Sequence, residues 1–282
     1  MISEVAIRLG HARSLAGVVH FPSSGLPRAA VIFLDGQDGS KVGPQRMFVH
    51  AARDLAEKGI VSLRLDTRCR GDSVGRSRDL TYGGSVEDLD TAVGFVKDEL
   101  KIDRIGVCGA CFGGRVALSR ANDPRVRAIL CCSVIRPPET TFRKRVGIWM
   151  MYARRLFSRK TWRKVFSWRV DVKTILRTLG GKKALAGNPL RDIVQTPPPA
   201  GSRITFLYGA FDGPGVEGFR FYKSLLEKQR VPFAFREIRE MHHSVSSEEA
   251  RLTLRAIISE WGLALGGEER GFGKEKMPRS DG

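Results

Sequence analysis

Eight short runs rich in apolar and β-branched residues set the terms for this chain: Val5 to Leu9, Leu15 to Phe21, Ala29 to Leu34, Ile60 to Leu65, Ile105 to Gly109, Val126 to Ile135, Ile204 to Tyr208 and Phe233 to Ile238. Each is too short for a helix and fits a strand. Between the later runs lie helix-like stretches at Met47 to Lys58, Ser85 to Leu100 with an acidic first turn, Phe112 to Ala121, Phe219 to Gln229 and Glu248 to Leu265. Strands alternating with helices predict an α/β fold, a mostly parallel eight-stranded sheet covered by helices on both faces.

The alternation breaks once, between Ile135 and Ile204, where 15 Lys and Arg stand against two acids from Arg136 to Lys183. Most of the chain's net charge of +18 therefore belongs to one segment. Phe142, Val146, Trp149, Met150, Ala153 and Phe157 follow helical spacing there, with Arg143, Lys144, Arg154, Arg155 and Arg159 mostly elsewhere on the wheel. The expected organisation is a core made of residues 1–135 and 203–265, a basic amphipathic helical cap over 136–202 inserted after strand six, and a disordered polar, glycine-rich tail over 266–282. Trp149, Trp162 and Trp168 fall in the cap, where some of its aromatic side chains are expected to line the mouth of a pocket.

The five cysteines are odd in number and lack metal-ligand spacing, so reduced thiols and no metal or cofactor are expected. No apolar run approaches the roughly 20 residues of a membrane span, and MISEVAIRLG does not read as a signal peptide, so a cytoplasmic location is expected.

The stretch IGVCGACFGGRVAL places Cys111 between Gly109 and Gly113, where a strand hands over to a helix. A sharp turn that exposes a nucleophile needs very small residues two positions to either side, because side chains there would collide across the turn. The helix that follows turns the Phe112 N–H toward a developing oxyanion and favours a thiolate at Cys111. Downstream come the partners such a nucleophile needs, in the order acid then base. Asp212 follows strand seven in LeuTyrGlyAlaPheAspGlyPro, and His242 and His243 follow strand eight. Either histidine could serve as base.

Together these residues resemble the α/β-hydrolase superfamily over roughly residues 15 to 265. PheLeuAspGlyGlnAspGly at 33 to 39 is similar to the family's His-Gly oxyanion loop, and LeuAspThrArgCysArgGlyAspSerValGly at 65 to 75 to its Asp-x-Arg-Gly-x-Gly-x-Ser loop. The resemblance implies the α/β-hydrolase fold, a second oxyanion N–H at Gln37, and His243 as base, since HisSerValSer looks like the His-Thr-Phe-Ser ending of related loops. Asp35 and Gly36 stand where the family has His-Gly, and Cys69 replaces a glycine of the second loop. The elbow is similar to that of dienelactone hydrolases, which use a Cys-Asp-His triad. The large insertion after strand six is more like the caps of lipase, esterase and serine-aminopeptidase-like members, including hydrolases associated with exosortase and exopolysaccharide systems.

The resulting expectation is a hydrolase of a carboxylic ester, thioester or lactone that works through Cys111, His243 and Asp212 and a thioacyl-enzyme. Two alternatives stand beside it. One is a catalytically silent binding module for anionic surfaces, suggested by Asp35 and the basic segment; the other is an acyltransferase using the same intermediate. A small acyl-type substrate is the expected partner. The basic segment adds an anionic substrate or a membrane surface as candidates, and no nucleic-acid recognition motif is present.

Overall fold

The computed structural model describes residues 3–23, 25–76, 79–137 and 203–267. Nearly all of the expected cap and tail, with Trp149, Trp162 and Trp168, lies outside the described residues.

One eight-stranded sheet runs in the order β1-β2-β4-β3-β5-β6-β7-β8. Its strands are β1 (Ser3–Leu9), β2 (Leu15–Phe21), β3 (Ala29–Leu34), β4 (Ile60–Asp66), β5 (Ile105–Ala110), β6 (Val126–Cys132), β7 (Arg203–Gly209) and β8 (Phe233–Ile238). Only β2 pairs antiparallel, with β1 on one side and β4 on the other; every pairing from β4 to β8 is parallel. The helices are α1 (Met47–Glu57), α2 (Tyr82–Gly94), α3 (Phe112–Leu118), α4 (Gly213–Lys228) and α5 (Glu248–Leu265).

Successive strand residues face opposite sides, so a sheet covered on both faces needs apolar residues at every position. In β3, Ala30, Ile32 and Leu34 join one core with Leu89 and Val93 of α2, Val116 of α3 and Tyr222 of α4. Ala29, Val31 and Phe33 join the other, with Phe48 and Leu55 of α1 and Leu254, Ile258 and Trp261 of α5. Burying each such large side chain contributes on the order of 1.5–3 kcal/mol.

Several element boundaries differ from the sequence reading, and three of the differences have a clear local cause. Strand six, expected to reach Ile135, ends at Cys132, because Ser133 turns out of the extended region at φ 49°. Helix α2 starts at Tyr82 rather than Ser85, since the Thr81 side chain accepts the Gly84 N–H at 2.9 Å, and its first turn holds no acid. Helix α4 starts six residues early, at Gly213, where the Asp212 carboxylate caps it and proline suits the first turn. The parallel strands all point one way, so the segments after β3, β5, β6, β7 and β8 gather along one edge, where ligands bind in such folds.

Candidate active site

Cys111 follows β5 directly and precedes α3, with φ 51° and ψ −113°, a conformation that side chains rarely adopt. Its own N–H donates to Cys132 O at 2.9 Å, tying the turn to the end of β6. A Cβ added to Gly109 would stand 2.4 Å from the Gly113 carbonyl, so the turn closes only because that position carries no side chain. The residue is partly exposed, and strain of this kind concentrates at functional sites.

Asp212 is wholly buried at the start of α4. Its Oδ1 accepts the Gly215 N–H at 2.9 Å and lies 2.8 Å from His243 Nδ1. Burial pushes its pKa up, but the hydrogen bond from His243, the nearby Ser133 hydroxyl and the Gly215 N–H outweigh that and hold the carboxyl below the usual carboxylate range. The Asp212 hydrogen bond, followed by the interaction with the Cys111 sulfur, raises the His243 pKa to about 10 against the opposing effect of burial. The structure thus sets His243 against Asp212, with the Cys111 sulfur near enough to the imidazole to influence its pKa. His242 takes no part in it: it is exposed and stacks on Phe211, ring centroids 5.3 Å apart.

The loop after β3 packs on the elbow. A Cβ on Gly36 would lie 3.3 Å from Cys111 Cβ, and Gly39 N–H donates to Gly36 O across a turn containing Gln37. Phe112 opens α3, where the first N–H groups lack intrahelical partners. Asp35 folds back into its own loop and accepts the Gly36 N–H at 2.6 Å. Burial pushes its carboxyl up to about 6 despite hydrogen bonds from the Gly36 and Ser40 backbones and the nearby Arg70. The loop is fastened further along by Lys41, whose Nζ meets Asp66 at 2.5 Å and Asp72 at 2.6 Å.

Three residues beside the site went unrecognised in the sequence. Arg70 donates Nη1 to Gly36 O at 3.4 Å and lies 6.0 Å from the Phe112 ring centroid. Arg115, one helical turn beyond Cys111, is buried against the Phe112 and Tyr82 rings. Ser133 follows the last residue of β6 and lies near Asp212. Arginine on a loop or helix reads as solvated surface, and a lone serine after a strand carries no signal; only an apolar helix surrounding Arg115 hinted at burial. Cys69, where the family has a glycine, sits at φ 64°, which explains why glycine suits that place. Among the described residues no cluster of three or more His, Cys, Asp and Glu could hold a metal, and no helix is long and apolar enough to cross a membrane.

A mostly parallel sheet with a strained strand-to-helix turn at Cys111 and a hydrogen-bonded Asp212–His243 pair on the last two strand ends defines the α/β-hydrolase class. Within it, the chain belongs to the serine aminopeptidase, S33, family of hydrolases, whose model matches residues 26–204. It is a hydrolase of the α/β serine-hydrolase type, with cysteine at the elbow. An uncharacterized protein of Pseudomonas aeruginosa, PA2218, is 34% identical over 122 residues, which is 42% of this chain and 32% of that protein. The matched part thus spans about a third of that relative. Among solved structures, the dienelactone hydrolase of Anabaena variabilis superposes with a TM-score of 0.61 at 16% identity, covering 93% of this chain and 98% of its own. The α/β serine hydrolase XC6422 of Xanthomonas campestris, described as lacking a lid, gives 0.60 at 17%, covering 93% and 94%. At these identities the likeness is one of fold.

Proposed function

We propose that this chain hydrolyses a carboxylic ester, thioester or lactone through a Cys111-His243-Asp212 triad. The observation that carries the reading is the 2.8 Å contact between Asp212 Oδ1 and His243 Nδ1, with the Cys111 sulfur close to the same imidazole. Bonding at Nδ1 leaves Nε2 to exchange protons with the thiol, and the buried carboxylate holds that tautomer. His243 takes the Cys111 proton, and the sulfur attacks as thiolate.

Attack of Sγ on the carbonyl carbon forms the C–S bond and moves the carbonyl electron pair onto oxygen. The N–H groups of Phe112 and Gln37 receive that oxyanion. Collapse expels the alkoxide or thiolate leaving group, which takes the His243 proton. Water then gives a proton to His243 and attacks the thioacyl carbon; the acid leaves, and the thiolate–imidazolium pair is restored. A lactone is the first substrate to try, on the likeness to a dienelactone hydrolase.

The test is intact-mass analysis after brief exposure to a p-nitrophenyl ester and, separately, to a lactone. In the wild type an acyl adduct on Cys111 forms and turns over; in His243→Ala it stalls; in Cys111→Ala it does not form. No adduct and no turnover, with Cys111 alkylated by iodoacetamide no faster than the other cysteines, would sink the reading.

A further inference from the structure

The buried Asp212 has one well-satisfied oxygen and one that is not. Oδ1 takes both the Gly215 N–H and His243 Nδ1. Oδ2 is fully buried and has no hydrogen-bond donor among the described residues. A buried carboxylate oxygen without a donor is costly, so the surrounding residues should supply one.

Ser133 is the side chain built to do so. Strands β6 and β7 are neighbours in register, with Cys132 opposite Leu207, and the Ser133 N–H donates to Leu207 O at 2.7 Å, carrying the ladder one residue beyond β6. At that point the backbone turns to φ 49°, a left-handed conformation that a non-glycine residue holds only under constraint. The turn leaves the side chain 4% exposed, at the end of the strand beside the one that leads to Asp212. Its Oγ, like Asp212 Oδ2, is buried with no hydrogen-bond partner among the described residues. A hydroxyl rotates freely about its C–O bond and can aim its proton at the nearest acceptor.

We infer that Ser133 is a positioning residue: its hydroxyl donates to Asp212 Oδ2 and fixes the carboxylate plane so that Oδ1 faces His243. This rests on the reading of Asp212 and His243 as acid and base. With the hydroxyl gone, the carboxylate is free to turn about its last side-chain torsion, and the bond to Nδ1 that selects the imidazole tautomer loosens. His243 and the neighbouring Ser133 hydroxyl hold the Asp212 carboxyl low against the upward push of burial, so loss of the hydroxyl weakens the hold on the imidazolium as well.

The experiment compares wild type, Ser133→Ala, Ser133→Gly and Asp212→Asn for kcat, KM and pH profile on a p-nitrophenyl ester, with proton NMR of the His243 Nδ1–H. Glycine removes the hydroxyl and relieves the strained backbone, whereas alanine removes the hydroxyl alone. The expected result is that both serine variants lower kcat about tenfold, with KM within about twofold of wild type. Both also move the alkaline limb of the profile to lower pH and shift the Nδ1–H resonance. Wild-type kcat and pH profile in Ser133→Ala, alongside lost turnover in Asp212→Asn, overturns the inference and leaves the triad standing. Loss in Ser133→Ala with recovery in Ser133→Gly also overturns it, because backbone strain would then be the cause. Should Ser133→Ala fail to fold, Ser133→Gly decides by its pH profile. Unchanged turnover in Asp212→Asn removes the triad reading itself and the inference with it.

Discussion

Gly113 rests directly on Leu34: a Cβ added to the glycine would stand 2.3 Å from the Leu34 carbonyl oxygen and 2.7 Å from that of Asp35. The first turn of α3 thus lies flat on the end of β3, which is how the elbow and the loop carrying Gln37 come to face one another.

That contact makes Gly113→Ala a severe substitution. Alanine is the better helix former by about 1 kcal/mol, but the clash is with backbone, which cannot rotate away, and overpacking of this sort costs about 1–3 kcal/mol or more. Urea unfolding should show a net loss of about 2 kcal/mol. Gly114→Ala, whose Cβ would meet its nearest atom at 3.1 Å, should lose less.

The two adjacent histidines should separate cleanly. His242 stacks on Phe211 at the surface, and His243 reaches Asp212. Esterase assays of the single alanine variants should leave His242→Ala within about threefold of wild type, while His243→Ala loses on the order of a thousandfold or more. Equal losses in both would contradict the assignment of the base.

A histidine whose pKa is raised in the folded state stabilises the fold below its unfolded pKa and loses that contribution as pH rises through the folded value. For His243 the window runs from the ordinary histidine value of 6.5 to about 10. The melting temperature of wild type minus that of His243→Gln should therefore be largest near pH 6 and shrink toward pH 10. The alkaline limb of kcat/KM should fall near the same upper value, as the imidazolium loses the proton it delivers to the leaving group.

Asp35 runs the other way. Its folded pKa lies above the ordinary aspartate value of 3.8, at about 6, so the folded state holds its proton more tightly and stability falls as pH rises across that interval. Asp35→Asn has nothing to ionise. The stability of the variant relative to wild type should climb between pH 4 and 6 and level off above, by at most about 3 kcal/mol at about 1.4 kcal/mol per pKa unit. Thermal melts across that range, with a flat difference as the contrary outcome, are the check.

Much of the fold was legible because its signals are local. Each of the eight strands matches an apolar run, and α5 occupies the expected helical stretch from Glu248 to Leu265. The errors were local too. Ser85 looked like the start of α2 because acids follow it, but the Thr81 hydroxyl caps the helix earlier. The six residues before Phe219 looked like loop because glycine and proline dominate them, but the Asp212 carboxylate is there to start the helix.

What the sequence by itself determined is the α/β layering and the order of Cys111, Asp212 and the histidine pair along the chain, because period, turn chemistry and the need for glycine beside a strained elbow act within a few residues. Only the tertiary structure decided which of two neighbouring histidines meets Asp212, that Asp35 turns into its own loop, and that Ser133 ends beside a carboxylate 79 positions further along the chain. Those outcomes depend on which strands lie side by side and where each one stops, and parallel strands are brought together across long connections by the packing of the whole sheet.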